Sequence, residues 1–471
     1  MNDDDKKLGM DVPITRRDFI NGTAVTVGAT LASPIVVAGS TDAQAVSRDY
    51  PPAKTGMRGA HPGSFETAHA AVRGQHWQGK PSGEHYDLVI VGAGISGLAA
   101  AHIYLRDVDS KASILILDNH DDFGGHAKRN EFTSGNRTLL GFGGTMFIDA
   151  PKGYPPAAAA VLKDLGIEAD LYKNHYHADL FDNLGLTGCA FLDRETFGAD
   201  FLTSGTYVSP QALKESPLPQ EIRDELVRLY ADETDYLPGK SATQRRAIVE
   251  SISWRDFLAQ YGKFSETTLD FVQKWPHGVW AIGADACPAW LAYNEGYPGF
   301  AGMDLGYNDD EGPADHSVFS FPDGNATIAR LLVRKLVPGI APGNGIDDIV
   351  LAHFDYEALD APDKQTRIRL NSTVVHLQHK DKDLSGDVEL TYVTNGQAHS
   401  VSGSRVIWSG YHSMLPTVCP DIPSEQLAEQ SNCERAPLVY TNVLIRNWTS
   451  VAELRIKRAY CPGSFFHTIM L

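Results

Sequence analysis

Cysteine is scarce in this chain. Its 471 residues hold five, Cys189, Cys287, Cys419, Cys433 and Cys461, and no two follow a C-x-x-C spacing. An odd, scattered set excludes a zinc ribbon, a redox dithiol and covalent c-type haem, and a disulfide scaffold does not suit a chain of this length. Basic clusters are missing too. The 41 Lys and Arg are spread among 59 Asp and Glu without any nucleic-acid motif, which argues against nucleic acid as a partner. No apolar run has the length of a membrane span: the stretch from Gly22 to Gly39 is short and broken by Gly, Thr and Pro34. Internal repeats and low-complexity tracts are absent.

What is present has the balance of a soluble globular protein, 42% hydrophobic and 21% charged, long enough for two intertwined domains. The net charge of -18 makes a field that draws cationic ligands, and it equally serves solubility. The first residues read as an address. Thr15-Arg16-Arg17-Asp18-Phe19-Ile20 is a twin-arginine motif, the weakly apolar stretch follows, and Ala43-Gln44-Ala45 offers a small-residue cleavage site. This implies export of the folded chain by the twin-arginine translocase to the periplasm.

The most informative stretch is Tyr86 to Gly97. Leu88 to Val91 reads as a buried parallel strand, Gly92, Gly94 and Gly97 as a turn, and Leu98 to Tyr104 as a helix. Strand, glycine turn and helix are the context of a dinucleotide fingerprint. The first glycine allows the turn, the second lets a diphosphate approach the backbone, and the third lets helix and strand pack. Gly94, Ile95, Ser96 and Gly97 then present free N–H groups at the positive end of the helix. Three glycines alone are a weak signal. A second strand, Ser113 to Leu117, strengthens it by ending in Asp118, 21 residues after Gly97, where a ribose-binding carboxylate belongs. An acid there disfavours the 2′-phosphate of NADP.

Beyond Asp118 come Phe123-Gly124-Gly125-His126-Ala127-Lys128-Arg129, and further on Gly141-Phe142-Gly143-Gly144-Thr145-Met146. A glycine pair directly after the second strand is typical of FAD enzymes. Phe321-Pro322-Asp323-Gly324-Asn325-Ala326 opens a later helix, Thr327 to Leu336, whose N-terminus suits a flavin or another anion.

In this order the motifs resemble those of FAD-dependent amine oxidases. More narrowly the chain resembles the bacterial, twin-arginine-exported spermidine dehydrogenases. Thr55-Gly56-Met57-Arg58-Gly59-Ala60-His61-Pro62-Gly63-Ser64-Phe65-Glu66, Pro298-Gly299-Phe300-Ala301-Gly302 and the run from Pro437 to Trp448 carry the narrower likeness, which covers most of the chain after residue 50. The resemblance implies an α/β fold: a Rossmann-like FAD-binding domain of amine oxidase type, with an inserted, mainly helical substrate domain and a β-meander. The expected layout is a signal peptide at 1–45, an arm at 46–80, FAD-binding segments at 81–155 and 316–420, a helical substrate domain at 156–315, and substrate-domain strands at 421–471. The family closes with a further strand, a Gly-Asp pair and a helix. The chain is read as lacking that part.

The resemblance also implies residues and chemistry. His126, Gly143, Gly144 and Thr145 would border FAD, and the backbone of Val374 or Val375 would meet the adenine. Hydride would pass from the carbon beside nitrogen to the flavin, and the imine would hydrolyse to an aldehyde and a smaller amine. A small-molecule amine, specifically a linear polyamine, would be held by carboxylates and aromatic faces. Glu295, Asp304, Asp309, Asp310, Glu311 and Asp315, near Trp275, Trp280, Trp290 and Tyr293, are the regional candidates. No catalytic residue is singled out and no metal site is expected. Haem b beside FAD stays open, with His61, His69, His175 and His177 as candidate ligands. The electron acceptor stays open between oxygen, a quinone and a haem relay. Two other readings stand beside this one: the same fold acting on an amino acid or alcohol, and a truncated, non-catalytic flavin-fold protein.

Overall fold

The computed structural model describes residues 49–168, 179–203, 205, 207–231, 233–303, 305, 318–381, 383–433 and 435–471. The signal peptide expected at 1–45 lies outside them, as do His175, His177, Asp304, Asp309, Asp310, Glu311 and Asp315. The described residues form two units. One comprises those between 32 and 176 and between 315 and 435. The other comprises those between 177 and 314 and between 436 and 471.

The first unit is built on a four-stranded parallel sheet. Its strands are β1 (Leu88–Val91), β2 (Ile114–Leu117), β3 (Thr366–Arg369) and β4 (Val406–Trp408), in the order β3-β2-β1-β4. That is the order of a doubly wound nucleotide-binding half. β1 and β2 are apolar at every position because both faces are covered. Alternation divides them. Leu88, Ile90, Ile114 and Ile116 enter one core with α1 (Ile95–Asp107) and α2 (Ala326–Leu336), and Val89, Val91, Leu115 and Leu117 enter another with Val374, Leu390 and Val401. The second core lies under a sheet of Lys80–Tyr86, Gln397–Gly403, Val388–Thr394 and Thr373–His379. Asn395 (φ 49°) and Gly396 (φ 72°) make its two-residue hairpin turn.

The second unit is mainly helical. Its core gathers Leu226, Trp254, Phe257, Phe271 and Val272 between helices that include Gln220–Ala231, Ala242–Ser251 and Trp254–Phe257. The middle helix starts at a capping box of Ser241 and Gln244. A small sheet completes the unit, ordered Thr468–Met470, Ile456–Tyr460, Thr187–Leu192, Phe201–Leu202. Among the described residues no helix is long and apolar enough to cross a membrane.

Several segments differ from the sequence reading. Arg367 to Leu377 reads as one strand but is two, β3 and Thr373–His379, parted at Asn371, which adopts φ 52°. A residue in the left-handed region ends an extended run, and here it sends the chain from one sheet to the other. Residues 437–446 form no strand and stand mostly exposed; no neighbouring strand pairs with them, and the strands of that region are Ile456–Tyr460 and Thr468–Met470. Helix Pro156–Asp164 belongs to the first unit, because Val161 and Leu165 join the core around α1. β4 is half-buried, as an edge strand is. The arm contains a helix, Glu66–Val72.

A buried ion pair fixes the start of α2. Arg129 donates to Asp323 at 2.8 Å with both side chains almost fully buried, and the Thr327 hydroxyl donates to the other Asp323 oxygen at 2.6 Å. Arg129 also pairs with Glu131. Removing one partner strands a buried charge. Asp323→Ala is therefore expected to cost about 3–5 kcal/mol of unfolding free energy, read from urea denaturation. An unchanged midpoint would show that the pair does not hold the helix.

Candidate functional site

The C-terminal ends of β1 and β2 are where an open α/β sheet binds ligands. β1 ends at Gly92, whose N–H donates to Leu117 O at 2.7 Å, so the bend is tied to the end of β2. The next residue is tied by a side chain. Asp118 accepts from Ala93 N through Oδ2 at 2.7 Å and from His120 N through Oδ1 at 2.8 Å. Asp118 is only 7% exposed. Burial pushes its pKa up, opposed by the positive charge of Lys128 and the two N–H donors. Lys128 is pushed down by burial, against the carboxylates of Asp122, Asp118 and Asp121.

α1 begins at Gly94, which stands at its N-cap. The first backbone bond from the following turn is Leu98 N to Gly94 O at 3.0 Å, so the N–H groups of Ile95, Ser96 and Gly97 have no acceptor within the helix. No acidic side chain occupies this turn, and Ser96 is exposed while Gly94 and Ile95 are half-buried. An anion can therefore reach the positive end of a 13-residue helix. Gly97 is required: a Cβ there would lie 2.0 Å from Gly92 O.

The three glycine runs, separate in sequence, are stacked in space. Gly124 N donates to Ala93 O at 2.8 Å, and Gly94 and Gly124 form a parallel bridge. Gly125 adopts φ 60°, and a Cβ on it would come within 3.0 Å of the Gly94 Cα. Gly144 N donates to His126 O at 2.8 Å, while Gly143 lies against Lys128 O. The Thr145 hydroxyl accepts from Asn325 Nδ2 at 2.7 Å, which joins this third run to the start of α2. His126 is exposed, with its Nε2 3.1 Å from the Tyr411 hydroxyl.

Val374 and Val375 follow directly on this region, since Ser372 N donates to Asp118 O at 2.7 Å. Both side chains are buried. Val374 is paired with Tyr392, whereas Val375 falls at a register shift. A register shift is where backbone groups can depart from the regular ladder, which makes Val375 the better placed of the two valines to meet a ligand through its backbone.

Four features here escaped the sequence reading. Lys128 lies within a glycine-rich loop and carries no periodic signal. Asn325 reads as a helix-start residue, yet its Oδ1 is buried without a partner beside the third run. His120 likewise holds a buried, unpartnered Nδ1. Asp121 reads as a surface acid, but it collects three basic groups from the arm. The glycine turns, the free helix N–H groups and the Asp118 carboxylate fit a dinucleotide. Of the four haem candidates only His61 and His69 lie among the described residues, and neither is placed as an axial ligand. His61 has both nitrogens engaged, by Pro62 O and by Asp121, and His69 stands exposed on helix Glu66–Val72. In the second unit, Trp275 is packed against Tyr207, Tyr230 and Tyr460, while Glu295 is exposed at the end of helix Ala289–Asn294, and Trp280 and Trp290 are 41% and 36% exposed. Tyr293 packs edge-on against Phe300.

Burial, with the positive charges of Lys128 and His61, pushes the His120 pKa from 6.5 to about 3. The unfolded chain thus binds a proton that the folded chain refuses, so stability falls as pH drops from 6.5 towards 3. His120→Gln is expected to remove up to about 1.4 kcal/mol per pH unit of that slope, measured as urea midpoints between neutral and mildly acidic pH. An unchanged slope would show that His120 is protonated when folded.

Residues 90–165 match the model of the NAD(P)-binding Rossmann-like domain family. No curated protein matches the chain. Among solved structures, a redesigned double mutant of putrescine oxidase is 16% identical, with a TM-score of 0.40 over 82% of this chain and 72% of that one. Wild-type putrescine oxidase bound to putrescine gives 16%, 0.39, 82% and 71%. A CLA-producing fatty acid isomerase from P. acnes gives 14%, 0.33, 74% and 63%. Such low scores carry no functional weight. The chain therefore contains a Rossmann-like dinucleotide-binding domain, and the matched segment carries Gly92, Gly94, Gly97, Asp118 and all three glycine runs.

Proposed function

We propose that this chain is an FAD-dependent oxidoreductase that oxidises the C–N bond of a small amine, with a linear polyamine as its substrate. The observation that carries the reading is the packing of the Gly124–Gly125 pair onto the first glycine bend, beside a carboxylate that is itself bonded to that bend. The pair after the second strand is the feature by which the motifs resemble FAD enzymes. The polyamine rests on the resemblance to spermidine dehydrogenases and suits a chain of net charge -18. The twin-arginine motif supports export of the folded protein to the periplasm.

FAD, when bound, supplies the hydride acceptor. The protein's part is binding and orientation. The N–H groups of Ile95, Ser96 and Gly97 would hold the diphosphate, with the helix dipole adding attraction. Asp118 spends one bond per oxygen on the backbone and keeps further lone pairs for a ribose hydroxyl. The Val375 backbone would meet the adenine edge. Gly143 and Gly144 give the third run the close approach that a side chain would block.

The full chain, purified and mixed with FAD, is expected to hold about one flavin per protein, and anaerobic spermidine should bleach it. Absence of flavin binding would favour the non-catalytic reading, and bleaching by an amino acid or alcohol in place of spermidine would overturn the polyamine. Asp118→Ala is expected to weaken FAD affinity about ten- to a hundredfold, the worth of one charge-assisted hydrogen bond plus the looser bend. Equal affinity in a titration would remove Asp118 from the site.

A further inference from the structure

The arm is fastened at separate points along its length. Tyr50 is buried, stacked on His353 at 4.1 Å and edge-on to Tyr356, and Pro51 and Pro52 are buried beside it. From there the chain crosses to the loop after Asp118. Lys54 Nζ lies 3.0 Å from Asp121 Oδ2, and Arg58 and His61 lie 2.5 and 3.1 Å from Asp121 Oδ1. Asn119 Nδ2 donates to Ser64 O, and the rings of His61 and His120 meet edge-on at 5.2 Å. The arm then becomes helix Glu66–Val72, whose Ala71 packs on Val375 and Val393. It thus touches both segments that border the adenosine end of the proposed site, the loop following Asp118 and the strand carrying Val375.

Between these anchors the arm has little apolar attachment. Met57 is 63% exposed, and residues 53–58 with His61 and Pro62 line an open cleft of about 650 Å³. Gly56 (φ 89°) and Gly63 (φ 93°) turn the arm with nothing within 4 Å of a Cβ position, so neither is packed against the rest of the unit at that point. Three basic groups share one acceptor. Losing the Asp121 carboxylate releases Lys54 and Arg58 together and leaves His61 held by the Asp121 backbone N–H alone.

We propose that residues 50–72 form a strap over the adenosine end of the dinucleotide site, and that Asp121 is the latch that must open before the cofactor can leave. This rests on the dinucleotide reading. Asp121 is a positioning residue: it acts on the cofactor through the arm. A latch that entry and release must both pass slows the two alike, so its loss shows in the rates of exchange, of which release is the one read here.

The test compares the unmodified full chain with Asp121→Asn, with Lys54→Gln/Arg58→Gln, and with Asp121→Glu, which retains the charge. FAD release is followed by fluorescence after dilution, and cleavage within residues 53–62 by limited proteolysis with and without FAD. Release is expected to speed up about tenfold or more in the first two variants and to return towards normal in Asp121→Glu. FAD should protect the strap of the unmodified chain but not that of Asp121→Asn. A merely structural role would lower thermal stability without separating the release rates of the Asn and Glu variants. Unchanged release and unchanged cleavage in Asp121→Asn, with FAD bound normally, would overturn the latch alone. An unmodified chain that takes up no FAD would overturn the FAD reading and the strap proposed over that cofactor.

Discussion

The bond from Ala93 N to the Asp118 carboxylate is the constraint on which the site depends. It joins the bend after β1 to the last residue after β2, and so sets the gap between the helix end and the carboxylate. Burying this acid is costly, and the structure repays it with two backbone donors and the nearby charge of Lys128. The same arrangement gives the carboxylate one orientation.

The rest of the cradle is added onto that bond in layers. The Gly124–Gly125 turn lies against the first bend, and the run at Gly143–Thr145 lies against His126 and Lys128. Asn325 ties the third run to α2, whose start is held by Arg129 and Asp323. Segments almost 200 residues apart along the chain therefore define one surface. A change to any layer is transmitted through close backbone contacts rather than long side chains, which leaves little room for relaxation.

Much of this unit was legible from residues alone, because strong local signals coincide there. Leu88–Val91 and Ile114–Leu117 are apolar throughout, Gly92 to Gly97 between an apolar run and a helix-forming run reads as a turn into a helix, and Asn395-Gly396 marks a hairpin. What escaped the reading depends on distant partners. Nothing local marks Asn371 as the point where one apparent strand becomes two, since its role comes from meeting His120 O. The β-like residues 437–446 need a neighbouring strand, which sequence cannot supply or deny. The arm looked irregular because its anchor, Asp121, is about 60 residues away and its partners are charges without periodicity. The stacking of the three glycine runs was likewise invisible, although each was recognisable by itself.

The central claim is that backbone N–H groups at the start of α1 and the Asp118 carboxylate together hold the diphosphate and ribose of an adenine dinucleotide. A crystal structure of the full chain soaked with FAD tests it most directly. The account predicts diphosphate oxygens within hydrogen-bonding distance of Ile95, Ser96 or Gly97 N–H and a ribose hydroxyl on Asp118. Density for FAD bound elsewhere, with that helix end facing only solvent, would contradict it.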